Sequence, residues 1–425
     1  MNLCRLVITI SMFGLMSVAS YSQSFPGWFT YDTLSSPLRS NLITSIAIAH
    51  DRTVWIGTSA GLASLSEQLN WTLYDTSNSP LTSNWIKCLQ FDPNNTLWIG
   101  TLQDGLFGFF NGSWTHYHTG NTNWLTNNIS AVARRKNGDL WVGTHGQGAY
   151  VLTNNNWQNW RHQNTGIDID FINDIDTDDS NNVWLATHNG GLVKISDLGW
   201  ISYNQLNTNF STNHVQAVCV ENNRYVWTGL NGPRPDSALL RLDLTDQSWI
   251  IFDELSTLDE GIRSVWDIYV DMFGRKWIAT NELTRGVWLY NDTSFINYSA
   301  GFSGLASNRV FAVRERQDTS YWFATLSGLS FFKPSLTSFS EFDNSLSPVM
   351  VGPNPCMDYL SVSFTVPGIK SFDCSVLDAS GRVVFSNRSI SGSKFNLNVS
   401  HLTQGIYFIE IKESHRKSVL KILKV

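Results

Sequence analysis

Apolar and polar residues alternate along most of this chain at a period of two, in short runs broken by Gly and Asn every 6 to 10 residues. Successive side chains on a strand point to opposite faces, so this texture predicts strands and excludes a helical fold. The runs come in a fixed order. A β-branched stretch such as Ile43 to Ile48, Ile86 to Phe91, Ile129 to Val132 or Val215 to Val220 leads into a polar turn such as Asp92-Pro93-Asn94-Asn95 or Asn137-Gly138. A Trp-led strand follows, then a Gly turn (Gly61-Leu62, Gly105-Leu106, Gly190-Gly191-Leu192), a third strand, and a fourth with an aromatic-x-x-aromatic pattern.

That order repeats. Trp55-Ile56-Gly57-Thr58 recurs at Trp98, Trp141, Trp184, Trp227, Trp277 and Trp322, with spacings of 43, 43, 43, 43, 50 and 45. Four short strands in about 43 residues make one blade of a β-propeller, and a blade cannot bury both sheet faces unless neighbours stack on it. A Gly or Ala two places after each Trp lets adjacent sheets approach. Seven copies predict seven blades. The outer-strand signature begins eight times, at Trp28, Trp71, Trp114, Trp157, Trp200, Trp249, Phe295 and Phe339. One of the two end copies, Trp28 or Phe339, completes the last blade from the other terminus, and the pattern leaves open which.

Both ends differ from the middle. Arg5, an apolar run from Leu6 to Val18, and small residues through Ser22 have the order of a secretory signal peptide, predicted over 1–23. The run is shorter than the ~20 residues of a membrane span, and no other segment approaches that length, so no membrane span is expected. After a linker at Asn344–Pro348, alternating runs at Tyr359 to Phe364, Phe372 to Leu377, Val383 to Phe385, Phe395 to Val399 and Ile406 to Ile411 predict a small β-sandwich. The fold class is therefore all-β: a seven-bladed propeller over 24–345, then a sandwich over 346–425.

Composition refines this picture. Of 425 residues 13% are aromatic, 18 of them Trp, and the two repeat signatures absorb 13 of those Trp, which makes most of them scaffold. Twenty-nine basic against 35 acidic residues give −6 without a basic block, so nucleic acid is not an expected partner. Five Cys exclude a disulfide scaffold; Cys88 and Cys219 read as small core residues, while Cys356 and Cys374 could bridge within the sandwich, their spacing fixing nothing. The acids Asp168, Asp170, Asp174, Asp176, Asp178 and Asp179 invite a calcium reading, but the Gly and Glu positions of an EF-hand loop are missing. A solvated acidic patch is the default there, and no cofactor is expected.

Two resemblances follow from these motifs. The Asn-x-Ile opening (Asn41-Leu42-Ile43, Asn84-Trp85-Ile86, Asn213-His214-Val215, Asn308-Arg309-Val310) with Trp-Ile-Gly-Thr and Gly-Leu resembles the two-component regulator propeller repeat. The family's propellers are periplasmic sensor domains, often for glycans, attached to histidine kinases; only the binding role is carried over, since no kinase or DNA-binding segment is present. Pro353-Asn354-Pro355, Ser380-Gly381-Arg382, Gly405-Ile406-Tyr407-Phe408 and the Lys-rich finish resemble the C-terminal sorting domain of the type IX secretion system of Bacteroidota. That resemblance implies export, the secretion machinery as a partner, and a product that is released or attached to the outer cell surface.

Functional residues are sought where the repeat does not dictate the side chain. The slot before each β-branched stretch reads Leu42, Trp85, Asn128, Phe171, His214, Ser264, Arg309; two places on it reads Thr44, Lys87, Ser130, Asn173, Gln216, Trp266, Phe311. These rings, with His145 and His188 from the turns after the Trp strands, are expected at a channel mouth. Aromatics among amides and cations suit stacking on sugars and bonding to hydroxyls, although plain channel lining explains them equally well. Insertions at Asn231–Asp236 and near Asn281–Arg285 break the rhythm. With no nucleophile elbow or phosphate loop, a non-catalytic binder of glycan or protein is the leading expectation. A lyase or hydrolase using the mouth His and carboxylates is the alternative, and an envelope interaction module without a small-molecule ligand is a third.

Overall fold

The computed structural model describes residues 27–231, 238–252, 261–334, 349–352, 359–364, 372–378, 382–390, 394–403, 405–413 and 416–424. The chain divides into two compact units, Met1–Pro334 and Ser335–Val425. The predicted leader, the linker, and the sorting residues Pro353, Asn354, Pro355 and Gly381 lie outside the described residues, as do Phe339 and Cys356.

Among the described residues the first unit contains seven four-stranded antiparallel sheets. In blade one the order from the centre outward is Ile43–Ile48, Val54–Thr58, Gly61–Leu65 and Trp71–Tyr74, and blades two to six repeat it. Each inner strand packs beside the inner strands of its two neighbours, and blade seven meets blade one, so the ring closes. Blade seven takes its inner three strands from Val310–Arg316, Ser320–Thr325 and Gly328–Phe332, and its outer strand from Trp28–Tyr31. The N-terminal copy of the outer signature is thus the one that closes the ring.

The repeat motif is legible as a set of bonds. Its Trp is buried between sheets, and in every blade but the first, where Ala49 stands there, the residue six places earlier decides how the indole is held. Where that residue is an acid, it accepts the indole N–H: Asp92 from Trp98 at 3.0 Å, Asp178 from Trp184 at 3.2 Å, Glu221 from Trp227 at 2.7 Å and Asp271 from Trp277 at 3.1 Å. Where it is Arg, the guanidinium lies over the ring instead, at 5.3 Å for Arg135 on Trp141 and 5.6 Å for Arg316 on Trp322. The motif's Thr clasps the following turn, as Thr144 Oγ1 does in bonding the Gly148 carbonyl at 2.7 Å. The opening Asn caps the turn eight residues before it: Asn84 Oδ1 accepts from Thr76 N at 3.1 Å and Asn213 Oδ1 from Gln205 N at 2.8 Å. The small residue after the Trp is required by contact between blades. A Cβ on Gly143 would stand 2.7 Å from Ile172 Cγ2 of the next blade.

All seven inner strands share an irregularity the sequence does not announce. The register with the Trp strand shifts between the first and third residues in every blade. The extra residue is Thr44, Lys87, Ser130, Asn173, Gln216, Trp266 or Phe311. A bulge re-aims the side chain it carries, and that slot sits at one mouth of the ring.

The second unit has a three-stranded sheet (Val349–Gly352, Tyr359–Phe364, Lys394–Asn398) and a four-stranded one in the order Val383–Ile390, Phe372–Asp378, Gly405–Glu413, Arg416–Lys424. Leu360, Val362, Phe372, Cys374, Val376, Leu397, Tyr407, Ile409 and Ile411 form its core. Burial pushes the Cys374 thiol up to about 11.

Candidate functional site

In each blade the inner strand starts where the Trp strand ends, and one backbone bond joins the two. The N–H of Ser59, Leu102, His145, His188, Asn231, Asn281 and Leu326 donates to the carbonyl of Leu42, Trp85, Asn128, Phe171, His214, Ser264 and Arg309, at 2.9–3.3 Å. The variable slot and the post-Trp turn are therefore one structure, a circle of seven side-chain pairs. The bulged residues follow immediately inside it.

Blades two to five carry a continuous arc of this circle. Trp85 is 43% exposed and Phe171 39%. The Lys87 ammonium reaches the next blade and donates to Asn128 Oδ1 at 3.2 Å. His145, paired with Asn128, sets its ring perpendicular to Phe171 at 5.1 Å, and Phe171 lies 6.3 Å from the His188 ring. His188 and His214 are 3.9 Å apart, and His214 Nε2 meets Gln216 Oε1 at 3.2 Å. A second chain of contacts leads on: Trp266 Nε1 donates to Ser264 Oγ at 3.2 Å, which donates to Asn231 Oδ1 at 3.0 Å, and Trp266 packs on Phe311 at 5.3 Å. Arg309 is exposed on the far side, bridged to Asn281 through the backbone. Asn173 is used differently. Its Nδ2 donates to the Val215 carbonyl at 2.7 Å, as Thr44 Oγ1 does to Ile86 and Ser130 Oγ to Ile172, so these short polar residues stitch neighbouring blades.

The arc's charges are unusual. Burial lowers the Lys87 ammonium below its ordinary range. Desolvation by the walls, with Lys87 and His188 nearby, lowers His145, and burial beside His188 takes His214 down to about 4. His145 and His214 are therefore neutral at pH 7, each offering one donor and one acceptor nitrogen.

The acidic run of blade four is divided: Asp168 and Asp179 are exposed, as expected of a solvated patch, whereas the others are committed to bonds within the fold. Asp178 holds its Trp, Asp179 pairs with Lys136 and Asn223, and Asp170 Oδ1 accepts from His162 N at 2.7 Å. Asp174 and Asp176 line the channel, where each bonds the backbone of blade five: Val218 N to Asp174 at 3.0 Å and Val220 N to Asp176 at 2.7 Å. Burial pushes these carboxyls up to about 7 and about 6. Asp267 and Arg314, which sequence reasoning did not single out, complete this channel wall with a 2.6 Å ion pair. Cys88 and Cys219 stand on inner strands with their thiols raised by burial. Among the described residues no group of three or more His, Cys, Asp or Glu side chains is arranged to hold a metal ion.

In the second unit Arg382 closes a hairpin on Asp378, Nε to Oδ2 at 3.0 Å, and the Tyr407 hydroxyl donates to the Thr403 carbonyl at 2.9 Å. Residues 350–425 match the family model of the secretion system C-terminal sorting domain. Residues 80–103 and 123–146, which include Trp85, Lys87, Asn128 and His145, match that of the two component regulator propeller. Two segments of the propeller thus match regulator-type repeats, and the C-terminal segment matches a secretion sorting domain. No curated relative matches the sequence. Among solved structures, the extracellular domain of a B. thetaiotaomicron hybrid two component system matches 94% of this chain and 57% of its own at a TM-score of 0.62 and 15% identity. PorZ, a surface component of the type-IX secretion system of Porphyromonas gingivalis, matches 91% of this chain and 59% of its own at 0.55 and 17%. A streptogramin B lyase matches 72% of this chain and 97% of its own at 0.58 and 14%. The chain thus spans less than two thirds of the first two, and all three likenesses speak for the fold alone. The sorting tail marks the propeller for export to the cell surface. No helix among the described residues is long and apolar enough to cross a membrane.

Proposed function

We propose that the propeller is a non-catalytic binding module of an exported protein, taking a glycan or protein at the arc of blades two to five. The sorting tail engages the type IX machinery, after which the propeller works outside the cell or on its surface. One observation carries the binding reading: the exposed Phe171 face stands beside the neutral His145 imidazole, with the exposed Trp85 and the Lys87–Asn128 pair in the neighbouring slots of the same circle. Aromatic faces flanked by short-range donors and acceptors are what sugar rings and peptide edges need.

The lyase or hydrolase reading asks for a carboxylate working with His145 or His188. The contacts of these two rings are instead aromatic, with Phe171 and His214. The test is a melting-temperature panel of polysaccharides against the full exported chain. A ligand at 100 times its dissociation constant stabilises by about 2.7 kcal/mol, and Phe171→Ala should abolish that shift without lowering the unliganded melting temperature by more than a few degrees. A shift that survives both Phe171→Ala and Trp85→Ala would place binding away from the mouth and sink the proposal.

A further inference from the structure

Lys87 is a cation without a counter-ion. It sits on a bulge, half-buried, and its ammonium has an amide oxygen for a partner; no carboxylate pairs with it among the described residues. The titratable groups that feel Lys87 are Cys88, whose thiol burial keeps protonated, and the His145 imidazole, and neither supplies a negative charge. Several other half-buried or buried cations of this propeller have an acid or a ring: Lys276 has Glu221 at 3.4 Å and Asp292 at 2.5 Å, Arg314 has Asp267 at 2.6 Å and Arg316 has Asp318 at 2.7 Å, while Lys194 lies over Trp184 and Arg241 over Tyr225. Taking a charge out of water without a partner is costly, and a bound anion is the means by which such a site recovers the cost.

Resting on the mouth reading, we infer that the ligand is an acidic glycan whose carboxylate or sulfate group docks at Lys87 and His145 while its sugar rings lie against Phe171 and Trp85. An oxyanion takes charge-assisted bonds from the ammonium and an N–H from the neutral imidazole, both in a partly dry setting where they are strong. The lowered affinity of Lys87 and His145 for protons has one first cause, desolvation by burial. The chain as a whole carries −6, which works against adventitious binding of polyanions.

The experiment titrates the full exported chain with polygalacturonate, dextran sulfate and neutral dextran, at low and at physiological salt. One of the two polyanions should bind, and the preference between them distinguishes carboxylate from sulfate. Binding should weaken about tenfold or more in Lys87→Gln, persist in Lys87→Arg, and fall with salt. Lys87→Gln should melt no lower than the parent, because it removes an unpaired charge. If neither polyanion binds, or if binding ignores Lys87→Gln, the inference is wrong. Neutral dextran bound in a Phe171-dependent, Lys87-independent way would keep the mouth reading and discard the anion. Polyanion binding indifferent to both substitutions would discard both.

Discussion

At the scale of single residues, this propeller treats its repeated Trp in two chemically opposite ways. An acid six places earlier takes the indole N–H into a hydrogen bond; an Arg in that position gives its cation to the ring face and leaves the indole N–H of Trp141 and Trp322 without a partner. The two devices should differ in cost when removed. Asp178 is 5% exposed and accepts from Trp184, from the Asn182 side chain at 2.7 Å, and from the Ser180 and Asn182 amides at 3.0 and 2.9 Å. Asp178→Ala strands several buried donors at once and should cost about 3 kcal/mol in urea unfolding followed by Trp fluorescence. Arg135→Ala loses the cation–π contact, a 3.4 Å bond to the Ile195 carbonyl and a 3.9 Å pairing with Asp139, about 1–2 kcal/mol together. Equal losses for the two would mean that the acid is not the indole's anchor.

At the scale of elements, closure and bulging are what the strand pattern could not give. The outer signature at Trp28 and at Phe339 is equally good locally, and the choice between them depends on partners some 300 residues away. The choice is made by packing: Trp28 stacks on Phe332 at 4.6 Å and on Phe323 at 5.3 Å, with Gly304 leaving room for its Cβ. Trp28→Ala should therefore cost about 2–4 kcal/mol, and deleting residues 1–31 should convert cooperative unfolding of the ring into a broad transition. A sharp, unshifted transition in the deletion would refute N-terminal closure. The blades themselves were legible because Trp, Gly and Thr each answer a fixed contact. The bulge was not, because the slot it creates holds Thr, Lys, Ser, Asn, Gln, Trp and Phe in turn. For the same reason the mouth residues could be named but not sorted: nothing in the letters Asn173 and Lys87 says that one is spent on the neighbouring blade's carbonyl while the other is left facing the arc. Asp174 and Asp176 read as solvated because the channel-side N–H groups of an adjacent inner strand have no mark in sequence.

At the scale of the whole molecule, those channel carboxyls tie the ring's stability to pH. Their folded values, about 7 for Asp174 and about 6 for Asp176, lie above the ordinary 3.8 because burial penalises the charge, with Asp267 and neighbouring acids adding to it. In the unfolded chain both ionise near pH 4. Between pH 4 and 7 the unfolded state therefore releases protons that the folded state still holds, so their contribution is fully present below pH 4, declines as pH rises, and is constant above about 7. Asp243, held down to about 2 by the Thr245 hydroxyl and amide, and Asp318, lowered by Arg316, Ser320 and Lys333, pull the other way, favouring the fold above pH 4. His145 and His214, lowered by burial, likewise favour the fold as pH rises through their range, so the parent profile sums opposed contributions. Asp174→Asn and Asp176→Asn isolate the channel's share. Relative to the parent, each should melt lower at pH 4.5 and gain steadily up to pH 7.5, the crossover marking where the buried charge begins to cost more than its bonds to blade five return. A difference between variant and parent that stays constant across that range would show that these carboxyls are already ionised at pH 4.5, and that the channel is wet enough to keep them so.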